Sequence, residues 1–244
     1  MKLPKKITPD RIRQAVVEVK YSSHLPFEVL IGIFFNALDD SYIYTNRPQS
    51  KPPSITLGDN VPITLQIGQT LFYNDKISIA LLPNAFAFSC LNDYIGWEAY
   101  KPEIEKTVTA LYKTEVITNF TRIGIRYVSE YPNINLKDCV NFEFTFGMKD
   151  VKSDTFTFKT EFNFDIFKVV LNLNNKVPFL EQSDKALSII PTSVIDIDVI
   201  LDGLIINDLN ELFGKIELGK LKEKEIFFQY LIREDFLKTL KPEY

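Results

Sequence analysis

Two strand-like runs place charged side chains where chemistry could be done. In Thr121-Arg122-Ile123-Gly124-Ile125-Arg126-Tyr127-Val128, alternation puts Arg122, Gly124 and Arg126 on one face and Ile123, Ile125 and Tyr127 on the other. In Ile195-Asp196-Ile197-Asp198-Val199, Asp196 and Asp198 share a face opposite Ile195, Ile197 and Val199. An arginine inside a sheet needs carboxylate, phosphate or backbone partners. Three arrangements would satisfy these residues. If the two strands are neighbours they form a cross-strand ionic ladder, a structural device and the commonest fate of such groups. In a cleft, Arg122 and Arg126 would clamp a small anionic ligand through a carboxylate or phosphate. Asp196 and Asp198, with Asp202 in phase beyond them, would hold a divalent cation for a phosphoesterase- or nuclease-like enzyme.

Other catalytic material is scarce. His24 is the only histidine. It stands at a strand-to-helix corner beside Pro26, where packing or capping suits it better than a catalytic triad, whose base needs a third group to orient it. Cys90 and Cys139 are too few and too far apart for a metal motif, and Cys90 falls in phase with Phe86 and Phe88 as a small core residue. Only nine glycines are present, with no phosphate loop, dinucleotide fingerprint or zinc spacing, so no cofactor is expected. Trp97 and Tyr100 head a helical pattern. At that spacing they read first as core plugging the end of a sheet; with Tyr94 and Tyr127 they would also suit a ligand mouth or an interface centre.

The elements that must position these residues follow from periodicity. Ala15 to Tyr21 alternates as a strand, and Pro26 opens a helix carrying Phe27, Leu30, Ile31, Phe34 and Leu38 at helical spacing. Residues 46–62 hold four prolines and read as a surface loop. Strands resume at 77–82 and 86–91. Trp97, Tyr100, Ile104, Val108 and Leu111 then step by three or four, a second helix that tolerates Pro102 near its start. The arginine strand runs from Ile117 to Val128. Phe142, Phe144 and Phe146, then Phe156, Phe158, Phe162 and Phe164, then Val169, Leu171 and Leu173 alternate with mostly polar residues, the pattern of antiparallel strands with one wet face. Asn174-Asn175-Lys176 reads as a turn, 176–192 as a polar loop and Val194 to Leu201 as a last strand. Asn207 or Asp208 caps a C-terminal helix that Gly214 and Gly219 are expected to break before a second helix over 221–240.

The expected fold is therefore α+β: a largely antiparallel sheet with three or more amphipathic helices packed on one face. The chain of 244 residues suits a single domain over 1–244, with two lobes at about 1–115 and 116–244 as the other division. Twenty Phe and eleven Tyr against one Trp favour pleated, half-buried surfaces. A net charge of −4 argues against nucleic acid as a partner, and the basic residues Lys2, Lys5, Lys6, Arg11 and Arg13 read as a solvated arm. No apolar h-region follows Met1–Lys6, and the longest apolar run, 29–35, is about a third of a membrane span. A soluble, cytoplasmic protein with no membrane contact is the expectation. Abundant aromatics beside so little catalytic material favour a non-catalytic interaction module over an enzyme. It would present a sheet edge, or the Trp97–Tyr100 surface, to a protein partner or to its own copy.

Four stretches together resemble a sporadically distributed family of uncharacterised bacterial proteins of about 250 residues. They are Ala15-Val16-Val17-Glu18-Val19, Tyr94-x-x-Trp97-x-x-Tyr100, Arg122-Ile123-Gly124-Ile125-Arg126-Tyr127-Val128, and Ile226-Phe227-Phe228-x-x-Leu231-Ile232 followed by an acidic residue and Leu237. They span nearly the whole chain, and the third is the most specific. No activity is established for that family, so the resemblance implies a shared fold and assigns no catalytic residue.

Overall fold

The computed structural model describes residues 2–45, 56–57, 61–62, 70–142, 155–183 and 186–244. The chain is α+β, built on a nine-stranded antiparallel sheet. In chain order the elements are β1 (Ile12–Ser22), α1 (Phe27–Ala37), β2 (Ile43–Thr45), β3 (Thr56–Leu57), β4 (Val61–Pro62), β5 (Thr70–Tyr73), β6 (Ile77–Leu82), β7 (Ala85–Cys90), α2 (Trp97–Tyr112) and β8 (Asn119–Pro132). There follow β9 (Phe156–Phe164), β10 (Phe167–Ser183), β11 (Ala186–Leu201), α3 (Leu209–Glu225), a π-helical stretch Ile226–Leu231 and α4 (Glu234–Thr239). The strand order is β2-β5-β6-β7-β1-β8-β11-β10-β9, with β3 and β4 paired separately.

Alternation sets what each face of the sheet carries. On β1, Ala15, Val17, Val19 and Tyr21 are buried and the residues between them only half so. Val17 and Val19, with Ile123 and Ile125 of β8, lie in one apolar cluster with Leu30 and Phe34 of α1, Tyr100, Ile104 and Val108 of α2, and Leu212 and Ile216 of α3. A second cluster joins Val169, Leu171, Ile195 and Ile197 to Ile226, Phe227, Leu231 and Phe236. Residues of β1 and β8 that point the other way include Glu18, Arg122, Gly124 and Arg126. The central strands therefore hold their charges on the face opposite these clusters.

Several expectations are corrected. The stretch 176–192 is not a loop: β10 and β11 stay paired from Lys168↔Ile200 to Ser183↔Ala186. Its prolines face each other, Pro178 opposite Pro191, and the Pro191 carbonyl turns outward to accept from Asn133 N at 2.8 Å. A strand pair whose polar groups point away from each other needs no N–H, so both prolines fit. Asn174-Asn175-Lys176 is a bulge, not a reversal, with Lys176 at φ 51° and the register slipping between Asn174 and Val177. The buried Asn175 side chain pins it, its Oδ1 accepting from Leu136 N at 2.7 Å and from Ser193 Oγ at 3.2 Å.

The expected break in the C-terminal helix also falls elsewhere. Asp208 caps α3, accepting from Glu211 N at 2.8 Å, and the helix runs through both glycines to Glu225. At Gly219 a Cβ would stand 2.8 Å from Ile125 Cδ1, so this glycine sets how closely α3 lies on β8. The break comes after the π-helical stretch, where Asn141 N takes Leu231 O at 2.8 Å and Asn141 Nδ2 takes Tyr230 O at 3.0 Å. The backbone of the N-terminal arm is docked, while Lys2, Lys5, Lys6 and Arg13 are exposed as expected. Lys5 N donates to Glu243 O at 2.6 Å, Thr8 N to Leu240 O at 2.8 Å, and Ile7 is buried between them. The expected loop at 46–62, apart from β3 and β4, and the residues Phe144 and Phe146 lie outside the described residues.

Candidate functional site

The arginine strand and the aspartate strand are neighbours. β8 lies between β1 and β11, antiparallel to both. Register sets Arg126 opposite Val16 and Asp198, Gly124 opposite Glu18 and Ile200, and Asp196 opposite Val128 and Asn172. The ion pair runs diagonally. Arg126 Nε donates to Asp196 Oδ1 at 2.8 Å and Nη2 to Oδ2 at 2.9 Å, a two-pronged fork. Asn172 Nδ2 adds a third bond to Oδ2 at 2.9 Å, so the buried Asp196 carboxylate is well satisfied. Arg122 pairs with Glu18 on the other flank.

Asp198 is left over. It faces Arg126 in the register, yet the guanidinium turns to Asp196, and Asp198 accepts no hydrogen bond among the described residues. Burial pushes its carboxyl up to about 6, against the opposing pull of Arg126 and Arg122. Asp202 does not join the group: it is exposed in the turn after β11, accepting from Gly203 N. Among the described residues no three His, Cys, Asp or Glu side chains gather as a metal-holding group.

The aromatic end of α2 divides between core and surface. Tyr100 is fully buried and offers no surface, which corrects its place in the expected interface; its ring lies 6.2 Å from that of Trp97 and 6.5 Å from that of Tyr94. Trp97 is half-buried and donates from Nε1 to Glu217 Oε2 of α3 at 3.1 Å. Beside them lies a polar group that the sequence reading missed. Lys220 of α3 is buried, 2.6 Å from Glu223 Oε2, with Nζ 3.4 Å from the centre of the Tyr127 ring. The Tyr127 hydroxyl in turn meets that of Tyr94 at 3.2 Å. Burial lowers the Lys220 pKa even though Glu223 draws it upward. In Gly219-Lys220-Leu221-Lys222-Glu223-Lys224-Glu225 the pair looks like part of a solvated charge run. The available signal was phase: 220 and 223 continue the buried stripe of Leu212 and Ile216.

A third feature lies at the β2 edge. Val29 and Phe35 of α1 stay about half exposed, at 47% and 54%. Phe35 meets Tyr44 of β2 edge-on at 5.9 Å, and Tyr44 packs against Phe72 of β5 at 5.4 Å. Ile43 is exposed too, but as the neighbour of Tyr44 along β2 it points to the other side of the strand, and Asp39 and Asp40 line the same hollow as Phe35 and Phe72. The unbroken apolar run of α1 was the sequence signal of this edge, because a helix that only covers a core alternates with polar residues.

His24 is exposed and stands apart from these groups. Both cysteines are free, and burial raises the Cys139 thiol to about 11, which leaves it unreactive. Among the described residues no helix is long and apolar enough to cross a membrane. The chain matches no protein-family model, and no curated protein matches it.

Proposed function

We propose that this protein is a non-catalytic protein-interaction module of the cytoplasm, belonging with the uncharacterised bacterial family that its motifs resemble. The observation that carries the reading is the exposed Phe35–Tyr44 contact at the β2 edge, with Val29 of the same helix and Ile43 of the same strand also exposed. Exposed apolar surface of this kind marks contact sites. On this reading α1, α2 and α3 cover one face of the sheet with their apolar sides, and α1 keeps a second apolar side for the partner. An exposed apolar edge can meet its own copy across a two-fold axis, so self-association is the form to examine first. The two free cysteines suit a reducing compartment. The guanidiniums of Arg122 and Arg126 already serve Glu18 and Asp196, which counts against an anion clamp. Asp196, held by three hydrogen bonds, is poorly placed to serve a metal.

The test is the pair of substitutions Val29→Lys and Phe35→Lys, read by light scattering after size exclusion and by cross-linking mass spectrometry. Assembly through α1 and β2 should disappear while the melting temperature stays close to that of the parent, since both side chains face water. A parent protein that remains monomeric with no cross-link through this edge, or a variant that assembles undiminished, would refute the proposal.

A further inference from the structure

At the other end of the sheet from β2 lies β9, whose sequence is close to symmetric about its middle residue. In Phe156-Thr157-Phe158-Lys159-Thr160-Glu161-Phe162-Asn163-Phe164, residues at equal distance from Thr160 match: Lys159 with Glu161, Phe158 with Phe162, Thr157 with Asn163 and Phe156 with Phe164. Among the described residues β9 pairs with β10 alone. The two-residue turn Asp165-Ile166 makes Phe164 and Phe167 a hydrogen-bonded pair, and such pairs alternate along an antiparallel ladder. Thr157, Lys159, Glu161 and Asn163 therefore turn their backbone N–H and C=O away from β10, and among the described residues they bond to no other backbone group. These four residues are exposed, on one face of the strand. On the opposite face Phe158, Phe162 and Phe164 are only partly buried against the second apolar cluster. Glu161 is bonded to Lys168, and Lys159 has no ion pair among the described residues.

We propose that β9 docks a second copy of this chain, the two β9 strands pairing antiparallel about a two-fold axis that passes between their Thr160 residues. Outward-turned residues exchange backbone hydrogen bonds only with one another, which restricts the registers open to the pair. Centring on Lys159 sets lysine against lysine, and centring on Glu161 sets glutamate against glutamate. Centring on Thr160 sets each Lys159 opposite the second copy's Glu161 and pairs all nine residues of the strand. A two-fold axis perpendicular to the sheet keeps each face on its own side, so phenylalanine meets phenylalanine. Phe158 then faces the second copy's Phe162 in a pair without hydrogen bonds, where side chains approach most closely. Facing aromatics and facing opposite charges both stabilise strand pairs, and a contact between identical copies needs this self-complementarity. No proline and no register shift interrupts β9, the devices that commonly blunt an edge strand. The proposal is independent of the α1–β2 edge, which lies at the far end of the sheet.

The experiment uses the full chain carrying Val29→Lys and Phe35→Lys, so that the α1–β2 edge is silenced and association through β9 is read alone. Sedimentation equilibrium over ~1–500 μM should show a monomer–dimer equilibrium. Adding Lys159→Glu sets glutamate against glutamate, and adding Glu161→Lys sets lysine against lysine. Each should weaken self-association about tenfold or more. Mixed in equal amounts, the two variants restore opposite charges at both facing positions, and the mixture should recover most of the lost affinity as a heterodimer. Both substituted side chains are exposed, so the melting temperatures should stay close together. A contact elsewhere, or another register of β9, lacks this reciprocity. A protein that stays monomeric up to about 500 μM would overturn the proposal, as would single variants that associate undiminished or a mixture that recovers nothing.

Discussion

Substitution Lys220→Met would remove the ammonium from beneath α3 and keep most of the side chain's volume. Glu223, 6% exposed, would then be left buried without its ion-pair partner. Removing one member of a buried pair costs about 3–5 kcal/mol, because the other charge stays desolvated. At about 2–4 °C per kcal/mol for a chain of this size, the melting temperature should fall by roughly 6–20 °C. The double substitution Lys220→Met with Glu223→Leu removes both charges and should regain most of that loss, since apolar replacements of buried pairs are often neutral or stabilising. Urea unfolding of the four proteins in the cycle at pH 7.5 gives the coupling directly. The reasoning fails if Lys220→Met costs less than about 1 kcal/mol. It fails equally if the double variant is as unstable as the sum of the two single ones.

Two further outcomes can be checked by thermal and pH-dependent unfolding. Gly219→Ala and Gly214→Ala both gain up to about 1 kcal/mol of helix propensity. At Gly219, however, the new Cβ meets Ile125 at 2.8 Å, whereas at Gly214 nothing lies within 4 Å. The first should lower stability by a net ~1–2 kcal/mol through overpacking and the second should raise it; melting shifts of the same sign would contradict this. Asp198 keeps its proton to a higher pH in the folded chain than in the unfolded one, about 6 against 3.8. Its ionised form therefore destabilises the fold above pH 6, and that penalty fades as pH falls from 6 towards 4, with a ceiling of about 3 kcal/mol. Asp198→Asn should be the more stable protein at pH 7.5, its advantage shrinking through that window; a difference that stays constant with pH would disprove it.

Much of the fold was legible because burial writes a period into the chain. The two-residue alternation of Ala15 to Tyr21 and of Ile123 to Tyr127 named both the strands and the face each would bury. The step of three or four from Trp97 to Leu111 named α2, and Pro26 and Asp208 marked where α1 and α3 begin. The places misread are those where a local signal yields to a distant partner. Pro178 and Pro191 look like loop punctuation until each faces the other across a ribbon. Asn175 looks like a turn until its amide is buried against Leu136 and Ser193. Gly219 looks like a helix breaker until Ile125 fills the space it leaves.

For the candidate site, sequence determined composition and facing: two arginines on one side of a strand, two aspartates on one side of another, and a single histidine that leaves little room for acid–base machinery. Which charge meets which was decided only by tertiary structure. Register and strand order give Arg126 to Asp196 and Arg122 to Glu18, and leave Asp198 with no hydrogen bond or ion pair among the described residues. The same holds for Lys220: its phase puts it on the buried stripe of α3, but its contact with Tyr127 exists only once α3 settles on β8. The physical reason is one of range. A side chain's face is set by neighbours two to four residues away, while its electrostatic partner lies on another strand or helix and exists only once the sheet has assembled.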